Sequence, residues 1–136
     1  MVHALKEKAD HVFLLYGDNS DKENAEIRVK LKQIPENESL ILVATGQKIG
    51  EGFDFPRLDV LMLAAPVSFE GRLEQYVGRL NRDYVGKEAV YVYDYIDSHV
   101  RYFDKMYAKR LRTYRKMGFS IWMQELQPKQ IINAIF

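Results

Sequence analysis

Short apolar runs alternate with longer polar or amphipathic stretches along the chain, and this alternation predicts a series of strands and helices. The strand-like runs span residues 11–16, 40–44, 58–65 and 89–95. In the first three, apolar residues dominate, which indicates strands buried on both faces. Strands that alternate with helices in this way favour an α/β fold, with a parallel sheet that has helices on both faces.

Three segments between or after these runs are predicted to be helices. Residues 21–33 have a loosely helical apolar spacing, but Ser20 and Glu23 stand in the pattern of a capping box at a helix start. Residues 70–82 and 98–117 each carry the apolar stripe of an amphipathic helix. The stripe of the first contains Leu73, Tyr76, Val77 and Leu80. The stripe of the second contains Phe103, Tyr107, Leu111 and Tyr114.

The length of 136 residues corresponds to one domain. We assign residues 1–97 to a partial domain that holds the sheet, and residues 98–136 to a helical extension packed on the same domain. In parallel sheets of this kind, ligands bind at the carboxyl ends of the strands. The loop that follows residues 40–44 and the helix that follows residues 58–65 both start at that edge, so we expect them to meet.

Composition narrows the class of protein. The absence of cysteine excludes a disulfide framework and a thiolate metal site, and it fits a reducing cytoplasm. The apolar runs are shorter than the ~20 residues that a membrane span needs, so no membrane partner is expected. The three histidines do not have the spacing of metal ligands, and no metal site is predicted. The net charge of +1 says little about partners.

The loop after residues 40–44 has the residue types of a nucleotide site. Gly50 and Gly52 allow a close approach of backbone to a ligand, and their amides can receive an anion. Asp54 suits a ribose hydroxyl or a metal-bound water, and Thr45 offers a hydroxyl to a phosphate. An ordinary turn, in which the glycines serve the backbone and Asp54 caps a local group, is an equally good interpretation of this spacing.

The helix over residues 70–82 carries a second candidate set. Gln75, Gly78, Arg79 and Arg82 fall on one helical face, where two arginines a turn apart can clamp a triphosphate. Gly78 costs about 1 kcal/mol relative to alanine inside a helix, so we expect it to have a packing reason. A solvated basic face is the competing interpretation of any such arginine pair.

Together the two blocks resemble a known family. Residues 42–56 are similar to motif V of superfamily 2 helicases, and residues 75–82 match the Q-x-x-G-R-x-x-R pattern of motif VI. The order and separation resemble the second, or helicase C-terminal, RecA-like domain, which has a P-loop NTPase-type fold but lacks the P-loop. The resemblance covers roughly residues 3–119 and looks strongest to DEAD/DEAH-type helicases and to the helicase subunits of restriction systems.

The resemblance implies roles for individual residues. Arg79 and Arg82 would be arginine fingers of ATP hydrolysis, and Gln75 would help to hold the γ-phosphate or the attacking water. Residues near the nucleotide would be Gly50, Gly52, Asp54 and Gly78. Residues near the nucleic-acid backbone would be Thr45, Gly46 and Gly17. The implied ligands are ATP with Mg²⁺ in the intact protein and a nucleic acid, with DNA favoured over RNA.

Two signatures of the family do not occur in these 136 residues. Neither the P-loop pattern G-x-x-x-x-G-K-[ST] nor a D-E-x-[DH] box is present. In the family both belong to the first RecA-like domain, so we expect that domain as a partner and expect the isolated chain to bind no ATP tightly and to hydrolyse none. Because the strand that carries motif IV is also missing, the domain looks truncated at its N-terminus, and self-association could cover the open sheet.

Two questions stay open at this point. A nucleic-acid-binding or docking module that has kept the fold without the ATPase is the alternative to a motor domain. Between residues 101 and 116 there are seven Lys or Arg and one acid, which suits either a nucleic-acid backbone or a solvated helix face.

Overall fold

In the computed structural model, the chain is described over residues 2–16, 18–45, 54–64, 70–96 and 99–123. The chain splits into two compact units, one formed by residues 1–51 with 124–136 and the other by residues 52–123. The described elements of unit 1 are α1 (Val2–Leu5), β1 (His11–Leu15), α2 (Asp21–Lys32) and β2 (Leu40–Ala44). Those of unit 2 are β3 (Val60–Leu63), α3 (Glu70–Leu80), β4 (Tyr91–Asp94) and α4 (Arg101–Lys116). The division predicted at residue 98 stays a prediction.

In unit 1, β1 and β2 form a parallel pair, with His11 opposite Leu40 and Leu15 opposite Ala44. Helix α2 packs against β1. Leu15 and Leu31 are fully buried at 0% and 2% exposure, so they form the apolar centre of the described part of this unit.

The predicted capping box at the start of α2 is confirmed. The Glu23 amide donates to the Ser20 hydroxyl oxygen over 3.2 Å, and the Ser20 amide donates to the Glu23 carboxylate over 2.7 Å. The bond from the Ser20 amide, followed by that from the Ser20 hydroxyl to the same carboxylate, holds the pKa of Glu23 below its usual value. The capping box therefore indicated the start of this helix correctly, although the apolar periodicity of the helix is weak.

In unit 2, β3 and β4 also pair in parallel, with Val60 opposite Tyr91 and Leu63 opposite Asp94. Helix α3 packs against β3, and α4 packs against α3. The core consists of Leu63, Leu73, Val77 and Tyr114, with Leu61 and Val92 packed against it. One face of the strand pair thus faces the core.

The other face of this strand pair corrects the prediction of strands buried on both faces. Val60, Met62, Tyr91 and Tyr93 are 39%, 59%, 57% and 51% exposed. These side chains alternate with the inward-facing ones, as the two-residue period of a strand requires. The apolar run at 58–65 therefore indicated a strand, but only every second side chain of it is used for the core.

Helix α4 ends in a Schellman motif. Gly118 has a left-handed φ of 84°, its amide donates to the Arg115 carbonyl, and the Phe119 amide donates to the Tyr114 carbonyl. The Phe119 ring then packs edge-on against the Tyr114 ring, with centroids 6.2 Å apart. Glycine is needed here because other residues rarely adopt this backbone conformation. Among the described residues, none of the helices is long and apolar enough to cross a membrane.

Candidate functional site

Helix α3 separates the candidate site from the core. Its buried face contains Leu73, Tyr76, Val77 and Leu80, as predicted, and none of them is more than 6% exposed. Gln75 and Gly78 are exposed on the other side, and Arg79 is half-buried. The helix therefore uses its apolar stripe for packing and leaves the three motif-like positions on its polar side.

Arg82 lies beyond the end of the helix, which corrects the predicted end at residue 82. Helix α3 ends at Leu80, although the Asn81 amide still donates to the Val77 carbonyl. Helix ends commonly deviate from sequence patterns by one or two residues. The consequence for the site is that Arg82 is set by the turn after the helix rather than by the helical face.

Arg82 pairs with Asp54. Its Nη1 atom donates to the Asp54 Oδ2 atom over 2.8 Å, and the two side chains are 53% and 51% exposed. The two residues lie 28 positions apart, one in each of the blocks that the sequence singled out. Their meeting in unit 2 confirms that these two parts of the blocks are neighbours, and among the described residues the partner of Asp54 is the distant Arg82.

Lys87, which sequence reasoning missed, lies beside this pair. Its ammonium group donates to the carbonyl of Pro56 over 2.9 Å, to that of Arg82 over 3.1 Å, and to that of Leu80. Partial burial lowers the pKa of Lys87, while the charges of Asp59 and Asp83 act in the opposite direction. A lone lysine before a strand belongs to no motif, and its acceptors are backbone carbonyls. The sequence therefore contains no signal that identifies it.

Among the described residues, nothing packs against Gly78 in the way that we expected. A Cβ atom built at this position meets no atom within 4 Å in the described part of the chain. The glycine lies on the exposed side of α3, away from the core, so the described residues do not supply the expected packing. A glycine here still lowers helix stability by about 1 kcal/mol relative to alanine, and packing against the described residues does not offset that cost.

The remaining candidates lie in unit 1 or outside the described residues. Thr45 is exposed at the end of β2, and its amide donates to the Leu15 carbonyl over 3.1 Å. Its hydroxyl is therefore at the carboxyl end of a parallel strand, as predicted. The other predicted contacts, Gly17, Gly46, Gly50 and Gly52, lie outside the described residues.

Unit 2 contains a second Asp–Arg pair, at the carboxyl end of β4. Arg110 Nε donates to Asp94 Oδ2 over 2.7 Å, and Arg110 Nη2 donates to Asp94 Oδ1 over 2.9 Å. The Tyr114 hydroxyl donates to Asp94 Oδ2 over 2.9 Å. Burial, followed by the Asp94 charge, raises the pKa of Tyr114 far above its ordinary value. We call Asp94, Arg110 and Tyr114 the buried triad.

The buried triad changes the prediction for α4. The buried residues are Met106, Arg110, Thr113 and Tyr114, whereas the predicted stripe members Phe103, Tyr107 and Leu111 are only half-buried. The stripe is displaced because Asp94 draws the Arg110 guanidinium into the interior, where it is 4% exposed. One cation of the predicted basic face is therefore unavailable to a nucleic acid.

Comparison with known proteins gives two viral relatives. The chain is 40% identical over 80 residues to "Putative helicase 161L" of Invertebrate iridescent virus 6, covering 57% of this chain and 16% of that protein. It is 36% identical over 91 residues to "Uncharacterized protein 108L" of Invertebrate iridescent virus 3, covering 66% of this chain and 82% of that protein. The chain thus spans about a sixth of the helicase-named relative. No protein-family model matches the chain.

Among solved structures, the chain is similar to the C-terminal domain of the DEAD-box protein Dbp5. The TM-score is 0.59 at 16% sequence identity, and the similarity covers 98% of this chain and 72% of that domain. At this identity the likeness concerns the fold. It confirms the predicted class, a RecA-like α/β fold with parallel strands.

Proposed function

We propose that this chain is a helicase C-terminal, RecA-like domain and serves as the second motor domain of an ATP-dependent nucleic-acid helicase or translocase. In this role it would supply one wall of an ATP site, with Arg79 and Arg82 directed at the phosphates. A first RecA-like domain with a P-loop would supply the opposite wall.

The observation that carries this proposal is the Asp54–Arg82 pair. A half-exposed carboxylate and a half-exposed guanidinium lie 2.8 Å apart, on the two segments that resemble motifs V and VI. An exposed ion pair is worth only about 0–1 kcal/mol, so a ligand can separate the two groups at little cost. A nucleotide offers a partner to each, because its ribose hydroxyls donate to a carboxylate and its phosphates accept from an arginine.

Gly78 and Arg79 add support. An exposed glycine inside a helix, with open space where a Cβ would be, allows a ligand or another domain to approach the α3 backbone closely. Arg79 follows it on the same helix. Guanidinium groups stabilise the negative charge that develops during phosphoryl transfer, and such arginines accelerate related reactions roughly 10³–10⁵-fold.

ATP and Mg²⁺ would be held mainly by the other domain in this proposal. The residues described here fit the phosphate end of the nucleotide, because the donors on α3 and its C-terminal turn are arginines and a glutamine. Gln75, exposed on α3, would help to position the γ-phosphate or the attacking water. The chain's own contribution is charge stabilisation and orientation of the nucleotide.

Nucleic-acid binding is the second part of the proposal. Thr45 stands exposed at the carboxyl end of β2, where a hydroxyl can donate to a backbone phosphate. A contact of this kind positions a nucleic acid without reading its sequence. We expect DNA rather than RNA as the substrate. Gly17 and Gly46, the other two residues that the resemblance assigns to the nucleic acid, lie outside the described residues.

The test is nucleic-acid-stimulated ATP hydrolysis by the assembled motor, meaning this chain together with the P-loop domain. Arg79→Ala and Arg82→Ala should each lower the turnover rate roughly 10³-fold, because each removes positive charge from the phosphates. ATP binding should change much less. Arg28→Ala, at an exposed position on α2, is the matched control and should leave turnover unchanged.

Two outcomes would decide against the proposal. Unchanged turnover in both α3 variants would remove the arginine-finger assignment. Nucleic-acid binding by an assembled protein that hydrolyses no ATP would instead favour the alternative, a binding or docking module with a helicase-derived fold.

A further inference from the structure

Lys87 forms a bridge between two segments of unit 2. Its ammonium group donates to the Pro56 carbonyl, two residues after Asp54, and to the carbonyls of Leu80 and Arg82 at the end of α3. An ammonium group has three donors, and all three are used on backbone oxygens. The bridge therefore connects the chain on both sides of the Asp54–Arg82 pair.

The end of α3 is a suitable place for a cation. The last carbonyls of a helix have no partner within the helix, and they form the negative end of its dipole. Lys87 satisfies the carbonyl of Leu80, the last residue of α3. Gly86, directly before it, has a left-handed φ of 81°, so the chain turns sharply just before the lysine.

The Asp54–Arg82 pair is too weak to hold this geometry by itself. Both of its side chains are about half exposed, and exposed ion pairs contribute little to stability. The Lys87 bonds are different, because the lysine is half-buried and its acceptors are backbone atoms that cannot rotate away. Two of these acceptors lie within two residues of Asp54 or belong to Arg82 itself.

We propose that Lys87 is a positioning residue: it fixes the segment that carries Asp54 against the helix end that carries Arg82, and so sets where both groups stand for a nucleotide. The link between the segments is independent of the proposed function. Its effect on ATP hydrolysis rests on that function.

The first test is hydrogen exchange in the 136-residue chain. Lys87→Met removes all three donors at similar volume, with Lys22→Met on the exposed side of α2 as the matched control. Two amides report on the bridge, that of Leu58, which donates to the Phe55 carbonyl, and that of Asn81, which donates to the Val77 carbonyl. We expect Lys87→Met to speed exchange at both, by about tenfold or more, and the control to leave both unchanged.

Faster exchange at only one of these amides, or at neither, would overturn the bridge. Lys87→Gln, which is uncharged and one bond shorter, is the milder variant if Lys87→Met lowers the melting temperature of the whole chain too far. It should change both amides in the same direction. Lys87→Arg keeps the charge and several donors, and should restore most of the protection.

The second test is steady-state ATP hydrolysis by the assembled motor. Misplaced arginines should lower kcat and leave the KM for ATP nearly unchanged, with partial recovery in Lys87→Arg. If Arg82→Ala lowers kcat but Lys87→Met leaves it unchanged, the positioning role is wrong and the proposed function stands. If Arg82→Ala leaves turnover intact, the proposed function is wrong, and the exchange data alone decide whether the bridge exists.

Discussion

Two Asp–Arg pairs in unit 2 have the same chemistry and nearly the same length, yet they differ in their surroundings. The Asp54–Arg82 pair measures 2.8 Å, and its side chains are 53% and 51% exposed. The Asp94–Arg110 pair measures 2.7 Å, and its side chains are 9% and 4% exposed. In the first pair, Arg82 Nη1 donates to Asp54 Oδ2, whereas the second pair is two-pronged and receives a further bond from the Tyr114 hydroxyl.

This difference separates a pair that can exchange partners from one that cannot. Removing either member of a buried pair leaves an uncompensated charge in the interior, which is costly. Water replaces the lost partner at an exposed pair, so little is lost. Short distance is thus a poor guide to the role of an ion pair, and burial decides which arginine is available to a ligand.

The largest expected effect comes from breaking the buried pair. Asp94→Asn keeps the shape but removes the charge that faces Arg110, and it should lower the free energy of unfolding by about 3–5 kcal/mol. Urea unfolding followed by circular dichroism measures this loss, with Asp54→Asn as the matched substitution at the exposed pair. Similar losses in the two variants would contradict the distinction between the pairs.

A smaller effect is expected when Tyr114 loses its hydroxyl. Tyr114→Phe keeps the ring in the core but removes a hydrogen bond to a charged carboxylate, at a cost of about 1.5–3 kcal/mol. Tyr107→Phe is the control, because the Tyr107 hydroxyl donates to the Met123 sulfur at an exposed position. A loss as small for Tyr114→Phe as for Tyr107→Phe would show that the triad tolerates the missing donor.

The same hydroxyl predicts a dependence of stability on pH. Burial and the Asp94 charge raise the pKa of Tyr114 in the folded chain above its ordinary value of about 10. The unfolded chain then loses this proton first as pH rises, so the stabilisation is complete below pH 10 and is lost above it. For the natural chain, the urea midpoint should be lower above that pH than below it. The decrease should be smaller for Tyr114→Phe.

The smallest effect is expected at the exposed pair. Asp54→Asn should change the free energy of unfolding by less than about 1 kcal/mol. Even this difference should vanish at 1 M salt, where the Debye length is about 3 Å. The effect of Asp94→Asn should persist there, since its pair is shielded from salt. A salt-insensitive loss in Asp54→Asn would mean that the pair is less accessible than its exposure indicates.

Local patterns in the sequence were sufficient for several of these features. The capping box needs only Ser20 and Glu23, three positions apart, and the buried stripe of α3 follows from helical spacing. The meeting of the segments that carry Asp54 and Arg82 was expected because both were placed at the carboxyl edge of a parallel sheet, although the pair itself was not predicted. Each of these features depends on residues that are close together in the chain or that carry a recognisable pattern.

Long-range bonds of unremarkable residues could not be predicted in this way. Arg110 looked like one more cation on a basic helix face, because its partner Asp94 lies 16 positions earlier, at the end of a strand. Lys87 reaches a carbonyl 31 positions away, and backbone acceptors have no signature in a sequence. The exposed side of β3 and β4 was missed for a related reason, since an apolar run does not tell which of its faces finds a partner.

Helix α4 is secured unequally at its two ends. Its N-cap is Val100, whose side chain cannot accept a hydrogen bond from the first amides, and its other end is closed by the Schellman motif at Gly118. All of its buried residues lie in the range from Met106 to Tyr114, and the triad holds the same half. The helix should therefore unwind from its first turn towards its last, so that residues 101–105 open many times before the turn around Tyr114 opens once.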